Sequence, residues 1–237
     1  MDMATLNSYN EAFRRHTKVN YMAEDIVVNG DATKPVWKQC PSIGDLHYPW
    51  YERGKIYDTE IKMLWSSTYF YVLFDCEDEN IQSVYTHYND HVCEDSCVEI
   101  FISPDPTNLS DYYTFEINCC GVMYNKHYDY LGQREEHWYP AGVKLGRSIR
   151  RYTFKTQDDP SVKRWVIELA IPFYLFDGRT GDTPNPPVEG TVWRLNAMRC
   201  GDEIYKQWGI WSENRNDTPQ FHLPQYFGEI TFWGSIG

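Results

Sequence analysis

No uninterrupted apolar run in this sequence approaches the length of a membrane span, and the opening MDMATLNSYNEAFRRHTK has no apolar stretch after its charged residues. The expectation is a soluble chain that does not insert into a membrane and that, as written, carries no export signal. Had such a signal been trimmed away, the protein would be extracellular or periplasmic, so the compartment is left open. Positive charge is scarce as well, with 22 Lys and Arg against 34 Asp and Glu and a net charge of -12. A surface of that sign repels phosphate backbones and anionic membranes, so nucleic acid is not an expected partner. It leaves room for calcium as a cofactor, or for a neutral ligand.

The seven cysteines form no CxxC pair of the kind that holds zinc, and an odd number that includes the adjacent Cys119 and Cys120 does not suit a disulfide framework. Most of them read as small buried apolar residues. There is no CxxCH for haem attachment, no internal repeat, no low-complexity tract and no sustained helical periodicity. What the chain has in quantity is aromatic side chains: 16% of residues, with 9 Trp and 19 Tyr. β-Sheets take such residues well, and most of them would fill a core.

The stretch that organises the rest is DSCVEIFISPDPTNLSDYYTFEINCCG, from Asp95 to Gly121. It predicts two strands, Cys97 to Ser103 and Tyr112 to Asn118, joined by a loop rich in turn formers. Side chains alternate with period two, so Val98, Ile100, Ile102, Phe115 and Ile117 point into a core while Glu99, Phe101, Glu116 and Asn118 point the other way. Further strands are expected at 59–65 and 69–75 as a hairpin, and at 143–154, 164–172, 192–200 and 227–233. Shorter ones are expected near 18–22 and 26–28, and a short helix near Ile81 to Tyr88. Within 192–200, Leu195 and Ala197 point inward, and Arg194, Asn196 and Met198 outward. About ten to twelve strands with short turns predict an all-β fold, a single antiparallel β-sandwich of jelly-roll-like form over residues 18–237, preceded by an arm over 1–17. The Gly- and Pro-rich segment 177–190 is read as a loop within that domain.

Five segments in order and spacing, DSCVEIF, YYTFEIN, RWVIELAIPF, VWRLNAMRCGD and FHLPQYFGEITF, resemble the family 9 carbohydrate-binding modules and their bacterial family-9-like relatives. The likeness runs from about Val28 to Phe232. It implies a β-sandwich that binds carbohydrate without cutting it, in support of polysaccharide use. In that family a sugar-chain end is held between two tryptophans, sheet side chains bond its hydroxyls, and bound calcium is common. By the resemblance the sheet glutamate is Glu99. Cys93 and Phe221 stand where the family has its clamp tryptophans, Glu116 stands at an arginine and Met198 at a glutamine. The resemblance therefore implies the same face with altered chemistry.

Sugar recognition needs an aromatic platform for the ring and polar groups for its hydroxyls, because buried hydroxyls left unpaired cost free energy. Trp50, Trp138, Trp211 and Phe221 are the candidate platforms. Glu99, Glu116, Asn118, Asn196 and Arg199 are the candidate polar groups. The same residues would serve structure instead if the tryptophans capped the sheet and Glu99 and Glu116 paired with Arg194 or Arg199. A glycoside-active enzyme is the alternative, since directly opposed strand glutamates come within the roughly 5 Å spacing of retaining glycosidases. Met198 with His127 or His222 would be a haem pair, and Asp75, Glu77, Asp78, Glu79 and Asp90 are possible calcium ligands without a recognised loop spacing.

Overall fold

The computed structural model describes residues 14–129, 134–135, 139–150, 163–201 and 206–235. Trp138 and the 151–154 part of the expected 143–154 strand lie outside the described residues. Twelve strands are present among those described: β1 (His16–Tyr21), β2 (Thr59–Trp65), β3 (Tyr69–Glu77), β4 (Cys97–Ser103), β5 (Tyr112–Asn118), β6 (Met123–Tyr128), β7 (Arg134–Glu135), β8 (Lys144–Arg150), β9 (Arg164–Pro172), β10 (Val192–Cys200), β11 (Gly209–Ile210) and β12 (Gly228–Ser235). They make one large curled sheet in the order β7-β6-β5-β4-β10-β12-β1-β2-β3-β9-β8, with β11 added to β10.

The pairings are antiparallel except those of β1, which runs parallel to both β12 and β2. This corrects the expectation of a wholly antiparallel arrangement. Short turns impose antiparallel pairing only on strands they join. β1 pairs with the last strand of the chain, and the 22–58 segment separates it from β2, long enough for the crossover that a parallel pair requires. His16 and Thr17, read from sequence as the end of an arm, belong to this strand.

The alternation read from the sequence sets the core. Ile61, Met63, Phe70, Val72, Phe74, Ile167 and Leu169 from β2, β3 and β9 form one cluster with Val98, Ile100, Phe115, Trp193, Leu195 and Phe232 from the other half of the sheet. Phe70 and Trp193 meet edge to face at 6.2 Å, and Trp193 and Phe232 at 4.9 Å, so the sheet curls until its inner face closes on itself.

The opposite face is also covered. On β2, β3 and β9 it is sealed by the 22–40 segment, whose short helix α1 (Pro35–Gln39) drives Trp37 onto Leu64, Tyr71 and Val166. Glu168 fastens this cover, accepting the amides of Asn29 and Gly30 at 2.9 Å, the Trp37 indole N–H at 2.7 Å and Lys34 Nζ at 2.6 Å. Gly30, at φ 77, permits the approach, since a Cβ there would run into the Arg147 backbone. Strands β4, β5 and β9 are buried along their whole length, which is why their sequences run apolar on both faces apart from a few polar positions.

Two local expectations differ. Residues 81–88 form no helix, because their amides are taken by side chains: Asp95 accepts from Val84 and Tyr85, and Asp90 from Thr86 and His87. Residues 26–28 form no strand, and Val27 is exposed.

Candidate functional site

On the outer face of β10, β4, β5 and β6 the register aligns Met198, Glu99, Glu116 and Tyr124 in one cross-strand row. The next row holds Cys200, Cys97 and Asn118. Two apolar clusters flank these rows, one of Phe101, Tyr112, Tyr128, Met198 and Phe227, the other of Val92, Cys97 and Cys200 with Tyr124 and Trp208 beside them. Between them opens a cavity of about 520 Å³ with Glu99, Glu116 and Cys200 among its floor residues, and Trp208, Phe221 and Cys93 in its walls. Lys206, Gln220 and His222 add polar groups, and Glu94 a third carboxylate. The size lies within the range of small-ligand sites, roughly 300–1,000 Å³.

Glu99 and Glu116 are directly opposed on β4 and β5, and both are buried. Two carboxylates in that relation repel if both are ionised. Burial pushes the Glu99 carboxyl up to about 7, and the hydrogen bond it accepts from the Cys200 thiol, 3.0 Å, pulls the other way. Glu99 can therefore present either a donor or an acceptor near neutral pH.

The rim is held by side chains that bond its loops. Asn118 donates to Ser83 Oγ, Tyr85 O and Asp95 Oδ2 at 3.0, 3.1 and 2.8 Å and accepts the Val122 amide at 2.9 Å, so it anchors the 82–95 loop. Asn196 donates to Ser212 O and accepts the Ser212 amide, both at 2.8 Å, tying down the 212–227 loop. Gly201, at φ 103, lets the end of β10 pass the Asp95 carbonyl, where a Cβ would clash. Trp50 is half-buried, donates to Asn216 O at 2.7 Å and lies 6.1 Å from Phe221.

Of the candidates read from the sequence, Glu99, Glu116 and Phe221 line the cavity together, and Trp50 backs Phe221. Two others lie on the inner side. Trp211 is fully buried on the core side, where its indole N–H donates to Ile43 O at 2.9 Å. Arg199 shares the inward parity of Leu195 and Ala197, not that of Met198, and bonds Thr59 Oγ1 at 2.8 Å and Asp78 at 3.3 Å, so it cannot pair with Glu99 or Glu116. Asn118 and Asn196 have the right parity, but their amides are spent on loops. Trp208 and Lys206 were missed. A tryptophan immediately before the short strand β11 gave the only signal for the former, and none marked the latter.

His127 stacks on Tyr113 at 4.5 Å on the inner face and bonds Asp111, whereas Met198 lies on the outer face, so that pair cannot share a haem; His222 lies on the outer side, its ring 4.8 Å from that of Phe101. Asp75 is bonded to Arg164 at 2.7 Å, Glu77 and Glu79 to Lys55 at 2.6 and 2.8 Å, and Asp78 to Ser96, Trp165 and Arg199. These acids, offered for calcium, hold the sheet ends instead.

A sheet face with a cavity acidic at the base and aromatic in the wall defines a binding module for a small polar ligand. Carbohydrate-binding family 9 is the family to which this chain belongs, its family model matching residues 39–232. An extracellular protein of Arthroderma benhamiae is 25% identical over 216 residues, covering 87% of this chain and 85% of that protein. The fold is similar to that of a candidate carbohydrate-binding protein of Bacteroides uniformis, with a TM-score of 0.74 at 20% identity over 92% of this chain and 99% of the other. It is also similar to a family 9 module of Caldicellulosiruptor kristjanssonii solved with cellotriose, with a TM-score of 0.62 at 17% identity over 92% and 94% of the two chains. The same comparison with a family 9 module from that organism holding glucose gives 0.60 at 15% identity.

Proposed function

We propose that this protein binds carbohydrate without cleaving it, and that the cavity over Glu99 and Glu116 takes the end of a glycan or a short oligosaccharide. The observation that carries the reading is the placement of Glu99, Trp208 and Phe221 around one cavity on the outer sheet face of a family 9 chain. Ring C–H faces would lie on the aromatic walls, and hydroxyls would bond the two carboxyl groups, Gln220 and Lys206. Three carboxyl groups against one ammonium group among the described lining residues favour a neutral sugar over a uronic acid, as does the net charge of -12. The same charge argues against nucleic acid, and among the described residues no helix is long and apolar enough to cross a membrane. We read the curled sheet as two layers of a jelly-roll-like sandwich, one domain from residue 18 onward with residues 1–17 as an arm.

A second reading rests on one observation. Glu99, pushed up to about 7 and facing Glu116, has the character of a general acid beside a second carboxylate. Both readings are tested by calorimetric titration with a panel of neutral and acidic oligosaccharides, followed by product analysis of each mixture. Saturable binding without new products supports the module, and new reducing ends abolished by Glu116→Gln support the enzyme. A panel that neither binds nor is cut overturns both.

A further inference from the structure

The carbohydrate reading leaves the row behind Glu99 without a role. Cys97 and Cys200 are directly opposed across the β4 and β10 pairing, with side chains on the outer face. Cys97, Glu99 and Cys200 each offer one ligand atom, and these atoms all lie within 4.8 Å of one another. All three residues are 3% exposed or less, yet Glu99 and Cys200 border the cavity. The remaining cysteines of the chain do not join such a group among the described residues.

We propose that Cys97, Glu99 and Cys200 form a binding site for one thiophilic divalent cation of the zinc class, with its open coordination position facing the cavity. The donor set decides the class. Calcium and magnesium take oxygen ligands in larger number, whereas two sulfurs and one carboxylate oxygen suit a four-coordinate ion of zinc, cobalt or cadmium type. The ladder makes the placement rigid: the sulfurs come from facing positions of two hydrogen-bonded strands, and the oxygen from a residue two along on one of them. A dication there would also offset the repulsion between Glu99 and Glu116, which sit directly opposite each other. Water, or a ligand hydroxyl entering the cavity, would complete the tetrahedron. On binding, each thiol gives up its proton to solvent and the sulfur lone pairs go to the metal, and Glu99 releases its proton where it still holds one. The site does not depend on the carbohydrate reading, because it needs no sugar.

The test is a titration of the reduced, sugar-free protein with Co²⁺, followed by its visible spectrum and by thiolate-to-cobalt charge-transfer absorption. Saturation at one equivalent, with the bands bleached by Zn²⁺, is the expected result. Cys97→Ser and Cys200→Ser should remove the charge transfer, while Cys40→Ser and Cys120→Ser should leave it intact. Should the first two fail to fold, Glu99→Gln decides, since it keeps the side chain's shape and should weaken Co²⁺ binding at least roughly tenfold. No saturable band in the reduced wild type, or equal affinity in Glu99→Gln, overturns the site. So does a Cys97–Cys200 disulfide in the purified protein whose reduction yields no cation uptake.

Discussion

The Cys200 thiol donates a hydrogen bond of 3.0 Å to Glu99 Oε1 at the base of the cavity, across the β10 and β4 pairing. Burial outweighs this bond and raises the folded carboxyl from 4.5 to about 7. Between those values the folded state binds more protons than the unfolded chain, so the group's contribution to stability falls as pH rises and its full cost stands above about 7. In chelator-treated protein, Glu99→Gln should unfold at higher urea than wild type above about pH 8, and the two should converge below about pH 4. Parallel midpoints at both pH values would show that Glu99 is not held protonated by burial.

The aromatic walls give a second prediction. Trp208→Ala and Phe221→Ala each remove a platform from the cavity and should weaken oligosaccharide binding roughly tenfold or more, ~1.4 kcal/mol, with unfolding little changed because both side chains are only partly buried. Trp50→Ala acts through Phe221, which it backs at 6.1 Å, and should cost less affinity than either. Calorimetry on the three variants checks the order, and a Trp50→Ala loss larger than that of Trp208→Ala would contradict it.

Trp211 separates structure from binding. Its ring lies against Gly228 so closely that a Cβ there would collide with it, and its N–H satisfies Ile43 O. Gly228→Ala should destabilise by about 1–3 kcal/mol through overpacking. Trp211→Phe should cost about 1–3 kcal/mol by leaving a buried carbonyl without its donor. Sugar affinity, measured well below the unfolding midpoint, should be unchanged in Trp211→Phe; a tenfold loss would return Trp211 to the site.

At the far end of the sheet, Glu168→Ala leaves Lys34 and the Trp37 N–H without their acceptor beneath the 22–40 cover. Breaking a buried ion pair from one side costs roughly 3–5 kcal/mol. Chemical denaturation should show that loss while oligosaccharide binding in the folded protein remains. A loss of less than about 1 kcal/mol would mean that the cover is held by packing alone.

Much of this arrangement was legible in the chain. Period-two alternation placed Val98, Ile100 and Ile102 in the core and Glu99, Glu116 and Asn118 on the opposite face, because strand geometry fixes parity locally. It did not reveal that this face is buried, since the cover comes from loops, 82–95 and 206–227, whose path over the sheet the alternation does not set. Asn118 and Asn196 have the polarity and parity of ligand contacts, yet loop amides and carbonyls take up their hydrogen-bonding groups.

The sequence by itself determined the strands, their faces, the acidic character of the site and the likeness to family 9, all of which follow from local backbone sterics and residue order. Only the tertiary structure decided the rest: that β1 pairs in parallel, that Trp211 turns to the inner side, that Trp208 joins Phe221 at the cavity, and that two cysteines separated by more than a hundred positions face one another beside Glu99. Those outcomes depend on which strands become neighbours and in what register, and that choice is made by closing the core as a whole rather than by any one stretch of the chain.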